Sequence, residues 1–296
     1  MGRNLDWPTD GPNWPNSSFS RFIDAAGFRW HVQVMGSGPV LLLVHGTGAS
    51  AHSWRRLIPL LASHFTIVVP DLPGHGFTEK PPSDVLTLPG MARALAQVMT
   101  TIGLSPAVVA GHSAGAAVLI RAALDGALSP KLIVSINGAL LPFQGIAGQV
   151  FKPLAKLLVL QPFVPQLFSW RAGERNAVKR LLAGTGSPPS AEDVDLYARL
   201  FQSPRHVSAT LAMMANWDLE SLAKDLGRLE TPLVLVAGST DKAIKPADAR
   251  RVQNIAPHAD AQILPGLGHL AHEQSPDLIA ELIVARAAAA NIDLKS

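Results

Sequence analysis

The sequence predicts an α/β protein: a mostly parallel central sheet flanked by helices. Three observations predict it. Short apolar, β-branched runs alternate with longer segments of helical period, the pattern of βαβ units. One such run passes directly into a helix through Gly111-His112-Ser113-Ala114-Gly115. The alternation breaks once, over residues 139–228, where about ninety residues rich in Leu, Phe and Pro carry amphipathic periodicity and no evident strand.

Residues 1–18 form an N-terminal arm with prolines and two tryptophans. The core then occupies 19–138 and 229–296, with the helical insertion 139–228 between its halves. Strands are expected at 28–35, 40–44, 66–69, 107–110, 132–136, 233–237 and 262–264, each a run of Val, Ile, Leu or aromatic residues bounded by turn formers. Helices are expected at 54–62, 88–102, 114–124, 247–255 and 276–290, where apolar residues recur at helical spacing. No repeat of solenoid type is present, and Ala287 to Ala290 reads as the end of a helix.

Composition narrows the class. Of 296 residues, 48% are hydrophobic and 16% charged, which excludes disorder, coiled coil and collagen. A formal net charge of +3 is too small to indicate a nucleic-acid partner. With no cysteine, disulfides, thiolate metal sites and a thiol nucleophile are all ruled out. The first sixteen residues lack the apolar stretch of a secretory signal, so a cytoplasmic location is expected. Residues 94–120 and 132–151 approach membrane length only with Gly and polar interruptions.

The chemistry concentrates at Ser113. In a G-x-S-x-G turn between strand and helix, the glycines clear space for a sharp bend, and the helix amino terminus favours negative charge developing at the serine oxygen. A serine hydroxyl is a weak nucleophile and needs a base, itself oriented by an acid. Asp241, in the loop after the 233–237 strand, and His269, in Gly266-Leu267-Gly268-His269, supply them in chain order Ser, Asp, His. Asp218 and Asp225 lie in the insertion and are poorer acids; Asn137 occupies the place after the 132–136 strand where some hydrolases carry theirs. His272 is the nearest rival to His269. Oxyanion donors are expected from the backbone of Ala114 and, in His45-Gly46-Thr47-Gly48, of Thr47.

Other motifs are weak. Gly36-Ser37-Gly38 lacks the third glycine of a dinucleotide fingerprint, and His269-x-x-His272-Glu273 is no zincin. No metal and no cofactor is called for. Asn16-Ser17-Ser18 is a glycosylation sequon without meaning unless secreted.

With these residues placed, the chain resembles the α/β-hydrolase superfamily from about Phe19 onward. A closer resemblance is to the magnesium-chelatase accessory proteins of bacteriochlorophyll biosynthesis. It is carried by His45 to Trp54 (HGTGASAHSW), Asp71 to Thr78 (DLPGHGFT), Gly111 to Ala117 (GHSAGAA), Asn137 to Phe143 (NGALLPF) and Gly266 to Glu273 (GLGHLAHE). The resemblance implies an α/β-hydrolase fold with a helical cap inserted after the sixth strand, and a setting in pigment synthesis near magnesium chelatase. Dehalogenase and epoxide-hydrolase relatives usually carry Asp at the position of Ser113, which sets those chemistries aside.

The insertion reads as substrate selector. It holds ten Lys or Arg against seven Asp or Glu, whereas the rest of the chain has fifteen of each. Its first half, 139–190, has six basic residues, one acid, and Phe143, Phe151, Phe163, Phe168 and Trp170. That mixture suits a small apolar ligand bearing carboxylates or an anionic membrane surface, or equally a solvated basic face over an apolar core; the resemblance implies that these would be an anionic tetrapyrrole and a photosynthetic membrane. Substrate contacts are expected from His45, His112, Phe143, Trp170, Met213, Met214 and Trp217. The expected function is ester or acyl hydrolysis by a Ser-His-Asp triad; the alternatives are a non-catalytic porphyrin-binding or chelatase-assisting protein, and a C–C hydrolase or perhydrolase using the same triad.

Overall fold

The computed structural model describes residues 3–142 and 174–294. Eight strands form one sheet in the order β1-β2-β4-β3-β5-β6-β7-β8. They are β1 (Ser20–Ala25), β2 (Phe28–Gly36), β3 (Val40–Val44), β4 (Thr66–Pro70), β5 (Val108–His112), β6 (Leu132–Ile136), β7 (Leu233–Gly238) and β8 (Ala259–Leu264). β2 runs antiparallel to both β1 and β4, and every other pairing is parallel.

Strand alternation divides the core in two. Leu42, Val44, Val109, Ile133 and Leu235 point to one face, where they pack with α3 (Leu88–Thr101) and α4 (Ala114–Leu124). Leu41, Leu43, Val108, Ala110, Val134 and Val236 point to the other, against Trp54, Leu57, Ile279 and Ile283. Both faces of the inner strands are therefore buried, which explains why β3, β5, β6 and β7 read as continuous apolar runs rather than as alternation.

Two expectations need correction. β1 is an additional strand, joined to β2 by Ala26 at φ 58 and Gly27 at φ 83, a two-residue turn of the kind that matches strand twist. The expected helix at 54–62 is instead a 3-10 turn, Ala51–Trp54, followed by the short α2 (Ile58–Leu61). Pro59 cannot donate to a preceding carbonyl and is tolerated only in a first turn, so the helix restarts there.

Between β6 and β7 the described residues are helical: α5 (Arg175–Gly184), α6 (Ala191–Phe201), α7 (Pro204–Ala215) and α8 (Leu219–Asp225). β7 and β8 are followed by α9 (Pro246–Gln253) and by α10 (Ala271–Gln274) with α11 (Pro276–Ala289). The N-terminal arm, with α1 (Trp7–Asp10), joins the insertion: Leu5 and Trp14 share a buried cluster with Val178, Leu182, Val194, Tyr197 and Leu200. Leu5 N donates to Ser203 Oγ, and the Arg199 guanidinium lies 4.9 Å from the Trp14 ring centre. Among the described residues, no helix is long and apolar enough to cross a membrane.

Candidate active site

Ser113 stands between β5 and α4 with φ 51 and ψ −116, a conformation that L-residues rarely adopt. Its neighbours explain how it is held there. A Cβ on Gly111 would lie 2.5 Å from Ala116 N, and one on Gly115 only 2.2 Å from Val44 O, so the first turn of α4 sits against the end of β3. On Gly46 a Cβ would meet His112 Nδ1 at 2.8 Å and Ser113 Cβ at 3.0 Å. These contacts bring the loop after β3 and the amide end of α4 to the same serine. Ser113 N donates to Ile136 O, and Ala139 N to Ser113 O.

The acid and the histidine leave the carboxyl ends of neighbouring parallel strands, where open sheets gather their sites. His269 Nδ1 and Asp241 Oδ2 are 2.8 Å apart. Asp241 Oδ1 accepts from the backbone of Ala243 and Ile244 at 2.8 and 2.9 Å, and its side chain is 1% exposed. The carboxylate is thus supplied with the donors that burial removed from it as water. His112 Nε2 donates to His269 O at 2.9 Å, and the two rings stand 4.7 Å apart, which ties the His269 loop to the residue before Ser113.

Asn137 stands where some hydrolases carry the acid, and as an amide it leaves that role to Asp241. It adopts φ 49, donates Nδ2 to Asp241 Oδ2 at 2.7 Å and to Gly268 O at 3.3 Å, and so ties the acid to the residue before His269. The rivals weighed for acid and base are occupied elsewhere. Asp218 caps α8 through Glu220 N and Ser221 N, and Asp225 pairs with Arg121 and Arg228. His272 is fully buried against Trp54 and His112, with neither ring nitrogen in a hydrogen bond; burial first, then repulsion from His269, pushes its pKa down to about 3.

Thr47 is exposed at the tip of the β3 loop, its hydroxyl 3.9 Å from Met213 Sδ of α7. Met213 is fully buried and Met214 half-buried; Trp217 is buried and shares a core cluster with Ala114, Leu140 and Leu141. The expected ligand contacts at two histidines meet a different geometry. His45 is fully buried, Nδ1 donating to Gly46 O at 2.8 Å and Nε2 accepting from Leu72 N at 2.9 Å, so no ring nitrogen is left for a ligand. His112 is buried with Nε2 on His269 O; burial and two neighbouring histidines hold its pKa well below the usual value. Phe143 and Trp170 lie outside the described residues.

Behind this site is a charged cluster that sequence reasoning did not find. Glu273 accepts from Tyr197 Oη at 2.7 Å, and its other oxygen is 3.7 Å from Arg55, which itself pairs with Asp193 and Glu192 of α6. Burial, helped by Asp193, pushes the Glu273 carboxyl up to about 7 against the opposing pull of Tyr197 and Arg55. Asp71 is its converse. Burial alone would raise it, yet His31 at 2.8 Å and the backbone of Ala51 and Phe77 hold it far below the carboxylate range. Among the described residues, no group of three or more His, Asp or Glu is placed to hold a metal ion.

Comparison with known proteins bears on the family and the fold. The model of the alpha/beta hydrolase family matches residues 41–282. The chain is 38% identical over 274 residues to the magnesium-chelatase 30 kDa subunit of Rhodobacter capsulatus, spanning 92% of this chain and 95% of that protein. It is 28% identical over 270 residues to a soluble epoxide hydrolase of Corynebacterium sp. strain C12, spanning 86% and 91%. A solved structure of the epoxide hydrolase CorEH superposes with a TM-score of 0.79 at 25% identity, over 91% of this chain and 98% of its own.

Proposed function

This chain belongs to the alpha/beta hydrolase family, and from that premise we propose that it is a serine hydrolase acting on an ester or related acyl substrate. The observation that carries the reading is the 2.8 Å Asp241–His269 contact, tied through His112 to the strained Ser113. In the proposed reaction Ser113 Oγ attacks the carbonyl carbon while His269 Nε2 takes its proton. Asp241 holds the Nδ1–H and stabilises the imidazolium. The backbone amides of Thr47 and Ala114 receive the oxyanion. Collapse expels the alcohol with the proton from His269, and water, deprotonated by the same histidine, releases the acid.

A serine at 113 favours acyl transfer over the chemistry of the epoxide-hydrolase relative. Residues 139–228 act as the cap, and the apolar side chains of Met213, Met214 and Trp217 near Thr47 would suit a small apolar substrate. His45 and His112 support loops from within rather than touch the substrate. The setting we propose is bacteriochlorophyll synthesis alongside magnesium chelatase, in the cytoplasm or at the membrane surface, on the strength of the Rhodobacter relative.

A fluorophosphonate probe should label the wild-type chain and fail on Ser113→Ala; a folded wild type that resists labelling overturns the reading. That relative's name also favours a second reading, a non-catalytic protein that assists the chelatase. Restoration of pigment by Ser113→Ala in a pigment-making host lacking its own copy would select it, and loss of pigment with folded protein would reject it.

A further inference from the structure

One face of α7 carries His206, Ala209, Thr210 and Met213, the i, i+3, i+4, i+7 spacing that lines up along a helix. All four meet core loops. Met213 Sδ is 3.9 Å from the Thr47 hydroxyl. Thr210 Cγ2 would be 3.7 Å from a Cβ on Gly48, and Ala209 Cβ only 2.4 Å from one on Gly74. Gly48 and Gly74 both have φ 75, so two glycine turns take the close approach of this helix without a side chain between.

His206 makes the polar part of this contact. It is fully buried, Nδ1 accepting from Gly76 N and Nε2 donating to Gly48 O, each at 3.1 Å. Those partners require the neutral ring with its proton on Nε2. Burial lowers the pKa to about 4, which keeps the ring in that form at neutral pH. Arg205 Nη2 donates to Gly76 O at 3.2 Å, so both backbone groups of Gly76 are gripped from α7. From the inner side, His45 links the same two loops through Gly46 O and Leu72 N.

We propose that His206 is a positioning residue for acyl transfer: from the insertion, it fixes the backbone of the Gly46–Gly48 loop so that the Thr47 amide stands ready for the oxyanion. The proposal rests on the serine-hydrolase reading. A single oxyanion donor is worth about 10²–10³ in kcat, and a misplacement of about 1 Å costs about 10². Removing the imidazole also leaves a buried carbonyl and a buried amide unpaired. His206→Gln keeps one acceptor and one donor at similar reach, and is the conservative variant.

The test uses the full chain with p-nitrophenyl butyrate, active sites being counted by fluorophosphonate titration. For His206→Ala, kcat per titrated site should fall about 100-fold with KM within about threefold. Binding of a trifluoromethyl ketone should weaken in step with kcat/KM, and His206→Gln should recover most of both. Hydrogen exchange over residues 45–50 should quicken in the alanine variant and not in the glutamine variant. A per-site kcat within about threefold of wild type for His206→Ala overturns the proposal; so does a glutamine variant as slow as the alanine one, or a rate loss explained by fewer titratable sites. If wild type neither turns over nor labels, the hydrolase reading fails by itself, and unchanged exchange over 45–50 in His206→Ala would separately sink the role in holding the loop.

Discussion

On one side of Ser113, Asp241 and His269 leave the ends of β7 and β8 and meet at 2.8 Å, and their supports are backbone amides of the same loops together with Asn137 at the end of β6. On the other side, the Gly46–Gly48 loop leaves β3 and finds its outer partners on α7, in the insertion. The first geometry follows from sheet register: three adjacent parallel strands end together, and short loops do the rest. The second depends on how a separate group of helices docks. In the proposed reaction, proton transfer would therefore be built into the sheet, whereas oxyanion stabilisation would be open to adjustment from residues that never touch the nucleophile.

Substitutions can break this contrast from either side. The largest effect is expected for Asp241→Asn, which disrupts the orientation and charge that hold His269: kcat for an activated ester should fall about 10³- to 10⁴-fold, with exchange over residues 45–50 unchanged. A parallel change in that exchange would show that the two sides are not separate. Asn137→Ala should be milder, about tenfold in kcat, because the amides of Ala243 and Ile244 still hold Asp241; stability should drop by about 1.5–3 kcal/mol for a buried bond to a charged group, read by urea denaturation. A loss comparable to Asp241→Asn would make Asn137 indispensable to the relay.

The smallest effect on rate is expected at Glu273, which joins the core to α6 through Tyr197. Its folded pKa, about 7, lies above the ordinary 4.5, so the folded state binds the proton more tightly than the unfolded chain does. Its contribution to stability is therefore complete below about pH 4.5 and lost as pH rises through about 7, by as much as ~3 kcal/mol. Glu273→Gln should flatten the fall in Tm between pH 5 and pH 8 while leaving kcat at pH 6 within about twofold. A variant whose Tm keeps the wild-type slope would assign that fall to other groups.

The contrast also explains what could be read in advance. β3, β5, β6 and β7 are buried on both faces and announce themselves as apolar runs; of the proposed triad, Ser113 follows β5, Asp241 follows β7 and His269 follows the less buried β8, with glycines close by. β1 was hidden because its sequence, SRFIDA, alternates weakly at a sheet edge and its turn uses Ala26 where Asn would signal positive φ. Asn137 stood at a legible position with an illegible role: its place after β6 was plain, but its bond to Asp241 joins residues 104 apart. His206 had no local signal at all. Its meaning lies in Gly48 and Gly76, more than a hundred residues earlier, and only docking of the helix brings them together.

The arm that carries Leu5 and Trp14 has a consequence for the order of assembly. The hydrogen bond from Leu5 N to Ser203 Oγ spans 198 residues. During synthesis at ~5–20 residues per second, the arm emerges roughly ten to forty seconds before its partner helices exist. Throughout that interval Trp14 can meet only His52 and Phe77 of the core, since Val178, Val194 and Leu200 are still to be made. The arm is therefore made well before the helices it packs against, and its docking on α5 and α6 waits for them.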